Sequence, residues 1–122
     1  MSGSKLKVLV VDDEPFVRKI AERVLQRIDL DIISASNGAE ALDALASQRF
    51  ALVLLDASLP DMNAERVLEV MRERGDQTPV LLSSGFGKES LPADGEFTNV
   101  RGFLPKPYSV AKLAEQVKDL LH

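Results

Sequence analysis

Leu6-Lys7-Val8-Leu9-Val10-Val11-Asp12-Asp13-Glu14-Pro15 is the stretch that decides the kind of fold. Its first six residues are aliphatic or β-branched apart from one lysine, the composition of a strand buried on both faces of a parallel sheet. The run breaks abruptly into three acidic residues. Pro15 then suits the first turn of a helix, where its missing N–H costs nothing. Val17, Ile20, Ala21, Val24, Leu25 and Ile28 follow at spacings of three and four, which marks one apolar helix face.

The same unit recurs along the chain. Asp31 to Ser36 reads as a second strand, and Asn37 with Glu40 reads as a helix cap and its reciprocal partner, ahead of Ala41, Leu42 and Leu45. Ala51 to Leu55 is the most continuous apolar run. It ends in Asp56, with Pro60 soon after, and is the candidate central strand. Asn63 caps a helix carrying Val67, Leu68 and Met71, which Gly75 terminates; Pro79 leads into a strand over Val80 to Ser83. A fifth strand is placed at Gly102 to Leu104. A last helix starts at Ser109, with Val110, Leu113, Val117, Leu120 and Leu121 on one face. Strands alternating with helices in this way predict parallel βαβ units, an α/β fold with helices on both faces of one sheet.

With 122 residues, 45% apolar and 28% charged, the chain suits a single self-folding domain. Residues 1–5 are expected to be a flexible N-terminus and residues 6–122 the domain. The net charge of −4 comes from 15 basic against 19 acidic side chains, and no basic cluster argues for direct contact with nucleic acid. There is no cysteine, no signal-like start and no run near membrane-spanning length. A cytoplasmic protein without membrane contact is therefore expected.

In an open parallel sheet the loops after the strands' carboxyl ends converge on one crevice, where ligands bind. The first strand delivers Asp12 and Asp13 there, the third Asp56, the fourth Ser83 and Ser84, and the fifth Lys106. Three carboxylates together repel one another unless a cation neutralises them, and hard oxygen donors suit Mg²⁺. A carboxylate beside a metal, a lysine and a hydroxyl can act as a nucleophile toward phosphorus. Alternation of side chains along a strand directs only one of Ser83 and Ser84 into the site, and spacing favours Ser84.

Val10-Val11-Asp12-Asp13-Glu14-Pro15, Leu54-Leu55-Asp56 with Leu59-Pro60, Ser84-Gly85 and Lys106-Pro107 together resemble the response-regulator receiver domain of two-component signalling, in order and over nearly the whole chain. The resemblance implies a flavodoxin-like, doubly wound sheet of five strands in the order 2-1-3-4-5. It implies that Asp56 is the phosphoacceptor and that Mg²⁺ is the cofactor, held by Asp12, Asp13, Asp56 and the backbone carbonyl of Ser58. It assigns Lys106 to the phosphoryl group, Ser84 and Phe103 to the switch, and a cis bond to Pro107. The partner it implies is a histidine kinase or a histidine phosphotransfer protein, with self-phosphorylation and autodephosphorylation in place of conventional enzyme activity. The wording around Ser83 and Lys106 looks more like receivers of hybrid sensor histidine kinases in a phosphorelay than like those of DNA-binding regulators. Leu59 and Ala64 depart from the usual Met and Gly.

A Mg²⁺-dependent small-molecule phosphohydrolase is the alternative, but it would want a second carboxylate where Ser58 stands, and a cap insertion. A nucleotide binder would want glycines and hydroxyls in the first loop, where two carboxylates stand. Between Lys88 and Arg101 the fold asks for a fourth helix. Pro92 and Gly95 oppose one by roughly 3 and 1 kcal/mol. A short or irregular, mobile segment is predicted, and with it a monomer. Phe86 is expected near the site, where its bulk would shield an acyl phosphate.

Overall fold

A computed structural model describes residues 5–85, 91–93 and 95–121. The first four residues, Phe86, the stretch 87–90, Asp94 and His122 lie outside the described residues, so the expectations for Phe86 and for most of the flexible start fall there. The elements are β1 (Lys7–Val11), α1 (Pro15–Gln26), β2 (Asp31–Ala35), α2 (Gly38–Ser47), β3 (Leu52–Asp56), α3 (Ala64–Glu73), β4 (Val80–Ser84), β5 (Val100–Pro105) and α4 (Val110–Leu121). All strand pairs are parallel, in the order β2-β1-β3-β4-β5.

The near-continuous apolar strands are explained by two cores, one on each face of the sheet. Leu9, Val11, Val53, Leu55 and Leu82 pack under Ala41 and Leu42 of α2 and Val67, Leu68 and Met71 of α3. Their neighbours Val8, Val10, Leu52, Leu54 and Leu81 pack under Ala21, Val24 and Leu25 of α1 and Leu113 and Val117 of α4. Because side chains alternate, each of β1, β3 and β4 serves both layers and has no polar face to spare.

Capping residues set the helix ends. Asn37 Oδ1 accepts from Glu40 N at 2.8 Å, and Glu40 Oε1 accepts from Ser36 N at 2.8 Å, one residue before the N-cap. Asn63 Oδ1 accepts from Arg66 N at 2.9 Å. At the other end of α3, Gly75 takes φ 71°, and Asp76 N reaches back to Met71 O at 2.8 Å while Gly75 N reaches Arg72 O at 3.0 Å. A left-handed residue closing the last turn with these two bonds is the Schellman arrangement, which glycine adopts at little cost.

Between β4 and β5 the described residues 91–93 and 95–99 form bends and turns with no helix. Pro92 and Gly95, the latter at φ 81°, account for it. Four helices are therefore described where five βα units would supply five. The end of this segment is packed. Phe97 is 4% exposed beneath the Arg72 guanidinium, 4.7 Å from the ring centroid, and Asn99 Nδ2 donates to Thr78 O at 3.0 Å.

Candidate functional site

Strand order reverses between β1 and β3, and there the carboxyl ends of neighbouring strands open a crevice. Val11 pairs with Leu55, so the next residues, Asp12 and Asp56, emerge side by side. Asp56 lies opposite Ser83 on β4, and Ser84 lies opposite Pro105 on β5, which brings Lys106 over the same end of the sheet. The backbone fixes this placement, with Ala57 N donating to Ser83 O at 2.8 Å and Lys106 N to Ser84 O at 3.0 Å.

The structure gathers Asp12, Asp13, Asp56 and Lys106. A carboxylate oxygen from each of the three aspartates lies within 4.8 Å of the others. Asp12 and Asp56 are buried and Asp13 is exposed at the rim. Lys106 Nζ stands 2.7 Å from Asp12 Oδ2, 3.1 Å from Asp56 Oδ2 and 3.9 Å from Glu14 Oε1. Asp56 Oδ1 accepts from Ser58 N at 3.3 Å, and Asp12 Oδ1 from Glu14 N at 3.0 Å.

These contacts set the electrostatics. Burial, and then the charge of Asp12, push the Asp56 carboxyl above its ordinary range, against the opposing pull of Lys106 and the Ser58 N–H. For Lys106, burial works against the ammonium. The contacts with Asp12 and Asp56 together outweigh it and raise its pKa. Asp12 Oδ2 is buried and, despite the short approach of Lys106, has no aligned hydrogen-bond donor. A buried oxygen in a cluster of hard oxygen donors fits a small divalent cation.

The two serines part as strand geometry requires. Ser83 Oγ lies 3.3 Å from Tyr108 OH, on the α1/α4 side, where Tyr108 packs against the core. Ser84 therefore points to the other face, which also holds Leu82 and the partly buried Phe103. The Lys106–Pro107 peptide bond is cis. Ser58 sits two residues past the end of β3, in the β3–α3 loop, bridged to Asn63.

Two contacts were not among the expectations drawn from the sequence. Arg18 Nη1 donates to Asp12 O at 2.6 Å, and Tyr108 reaches under the site to Ser83. Arg18 carried a signal, since a helical side chain leans toward the N-terminal turn and so toward the loop before α1. Tyr108 carried only its place next to Lys106-Pro107.

Tyr108 is the chain's one tyrosine, and its pKa is pushed up to about 12, mainly by burial, with the Ser83 contact opposing. An unfolded tyrosine loses its proton near pH 10, roughly, so above that the folded chain binds a proton the unfolded one has lost. The stabilisation is thus complete below about pH 10 and is lost as pH rises toward 12, by about 1.4 kcal/mol per unit. Tyrosinate absorbance of the native protein is expected to rise only near the upper value, and alkaline destabilisation to be shallower in Tyr108→Phe. A native tyrosinate titration at the unfolded value would remove the buried phenol from the account.

Comparison with known proteins adds to this geometry. The family model of the response regulator receiver domain matches residues 8–118. The transcriptional regulatory protein SrrA of Staphylococcus aureus is 33% identical over 115 residues, 94% of this chain and 47% of its own, so the chain spans about half the length of the curated relatives it matches. The chemotaxis response regulator CheY4 of Vibrio cholerae has a similar structure, with a TM-score of 0.86 at 26% identity, over 97% of this chain and 100% of that one. The response regulator TrrA of Thermotoga maritima, solved in complex with Mg²⁺-BeF, gives a TM-score of 0.83 at 29% identity, over 95% and 99%. None of these gives specific support to a hybrid-kinase origin.

Proposed function

The chain belongs to the response regulator receiver domain family, and we propose that in it Asp56 accepts a phosphoryl group from a histidine kinase or a histidine phosphotransfer protein. The observation that carries this reading is the Asp56 carboxylate itself, at the end of the central strand, clustered with Asp12 and Asp13 and 3.1 Å from Lys106. An Asp56 oxygen forms the new bond to phosphorus as the P–N bond to the donor imidazole breaks, and the imidazole takes up a proton.

Asp12, Asp13, Asp56 and the Ser58 carbonyl are the proposed ligands of Mg²⁺. When bound, the ion would neutralise the carboxylates and screen the charge of the transferred group. Lys106, already 3.1 Å from Asp56 Oδ2, would hold the phosphoryl group as a point charge. Ser84 donates a hydrogen bond to it, and Phe103, on the same face, follows Ser84 inward. The signal is a shift between two surface arrangements. Residues 6–122 form the receiver, cytoplasmic and monomeric in both states; among the described residues no helix is long and apolar enough to cross a membrane.

Incubation with acetyl phosphate and Mg²⁺ tests the reading. Intact mass should show one added phosphoryl group, labile to hydroxylamine as acyl phosphates are. Asp13→Ala should need at least about tenfold more Mg²⁺ for the same yield, because an ion loses a charged ligand. Light scattering should read a monomer before and after. A protein that gains no mass, or that gains it equally with EDTA present, would refute the proposal.

A further inference from the structure

We propose that Asp61 is a positioning residue for the phosphoacceptor: it ties the β3–α3 loop to the first turn of α2 and so keeps the Ser58 N–H on Asp56. The loop leaves β3 immediately after Asp56 and returns on itself. Ala64 N donates to Ala57 O at 3.0 Å, and Ser58 bridges Asn63. These contacts close the base of the loop, and Leu59 to Met62 form its tip, with Leu59 and Met62 partly buried against the core.

The tip is held from outside. Asp61 Oδ1 accepts from Gly38 N at 2.8 Å and Oδ2 from Ala39 N at 2.9 Å. These two N–H groups are the first of α2 and have no partner within the helix. They also hold the Asp61 carboxyl below its ordinary pKa. The next donor, Glu40 N, is taken by Asn37, so the helix has a cap of its own, and the Asp61 contact adds a tether across the surface.

A second contact joins the same two parts. Met62 lies against Gly38 so closely that a Cβ there would meet Met62 Sδ at 2.6 Å. A side chain at position 38 would push the Met62 side chain out of its place, so the glycine permits this close approach. Charge and packing thus both fasten the tip to one turn. The base carries Ser58, whose N–H is on Asp56 Oδ1 and helps to hold that carboxylate ionised against burial. A loosened tip lets the peptide at Ser58 turn away from Asp56. It also frees the carbonyl that the proposed function gives to Mg²⁺, and only this last consequence rests on that reading.

The test uses the whole chain and four variants: Asp61→Ala, Asp61→Asn, Gly38→Ala and Asn37→Ala. Without metal, Ser58 amide exchange is expected to quicken about tenfold in Asp61→Ala and Gly38→Ala, and less in Asp61→Asn, which keeps one acceptor oxygen. Asn37→Ala weakens the same helix without touching the loop. It should lower the Tm and leave Ser58 at the wild-type rate. Unchanged Ser58 exchange in both Asp61→Ala and Gly38→Ala overturns the proposal, and so does equal quickening in Asn37→Ala, which would assign the effect to helix stability. Calorimetric titration with Mg²⁺ is the second arm, with affinity expected to fall several-fold in Asp61→Ala and to hold in Asn37→Ala. A wild-type protein that binds no Mg²⁺ defeats the metal reading and leaves the exchange measurement to decide on Asp61.

Discussion

Asp56→Asn is expected to take up no phosphoryl group from acetyl phosphate and Mg²⁺, and yet to be more stable than wild type when metal is absent. The first half follows from chemistry, since the amide lacks the carboxylate oxygen that attacks phosphorus. The second follows from the cost of the charge. Burial and Asp12 raise the Asp56 pKa in the fold, so protonation favours folding: the benefit is present below the ordinary value of 3.8 and is lost as pH rises through the folded value. At neutral pH the ionised group therefore costs stability, and asparagine removes that cost. A higher Tm than that of the wild type is expected in EDTA. Mass spectrometry and thermal melts check the two halves separately. Labelling at the wild-type level would take the nucleophile role from Asp56, and a lower Tm would show that the Lys106 contact outweighs burial and repulsion.

The second large effect is expected for Lys106→Ala. Lys106 is the cation that contacts both buried aspartates, and its side chain is only 14% exposed. Removing one partner of a buried ion pair leaves its counter-charge stranded. Two are stranded here. The metal-free protein should lose about 3 kcal/mol, and Mg²⁺ should restore most of it by supplying positive charge to the same oxygens. Phosphorylation of Asp56 should persist at a reduced rate, without the conformational change that depends on Lys106. The pH dependence has a defined sign: the raised Lys106 pKa makes its contribution complete below 10.5, lost only at higher pH, and absent at every pH from the variant. A variant as stable as wild type in EDTA, or one with wild-type chemical-shift changes on phosphorylation, would contradict this.

What the sequence disclosed followed from how local each signal is. Val8 to Val11, Leu52 to Leu55 and Val80 to Leu82 are apolar at every position because each strand feeds two cores, and that pattern lies in consecutive residues. Asp12, Asp56 and Lys106 were legible for the same reason: each stands where a strand ends. Strand limits moved by one or two residues, with β3 including Asp56 and β5 extending over Val100–Pro105, because ladder bonds continue past the apolar core. That the described residues 91–93 and 95–99 form no helix was legible in Pro92 and Gly95, but the docking of Phe97 under Arg72 was not. That contact, like Asp61 on the backbone of α2 and Tyr108 on Ser83, joins groups distant in sequence, and no periodicity encodes it.

The reach of Lys106 to Asp12 and Asp56 also bears on how the protein is made. The ribosome delivers the two carboxylates early and their counter-charge late, after β4 has been translated. During that interval β1 and β3 can pair and bury their apolar faces, but their ends hold two like charges that favour staying in water. A chain that stops before residue 106 thus lacks the cation that stands between these two carboxylates in the folded protein.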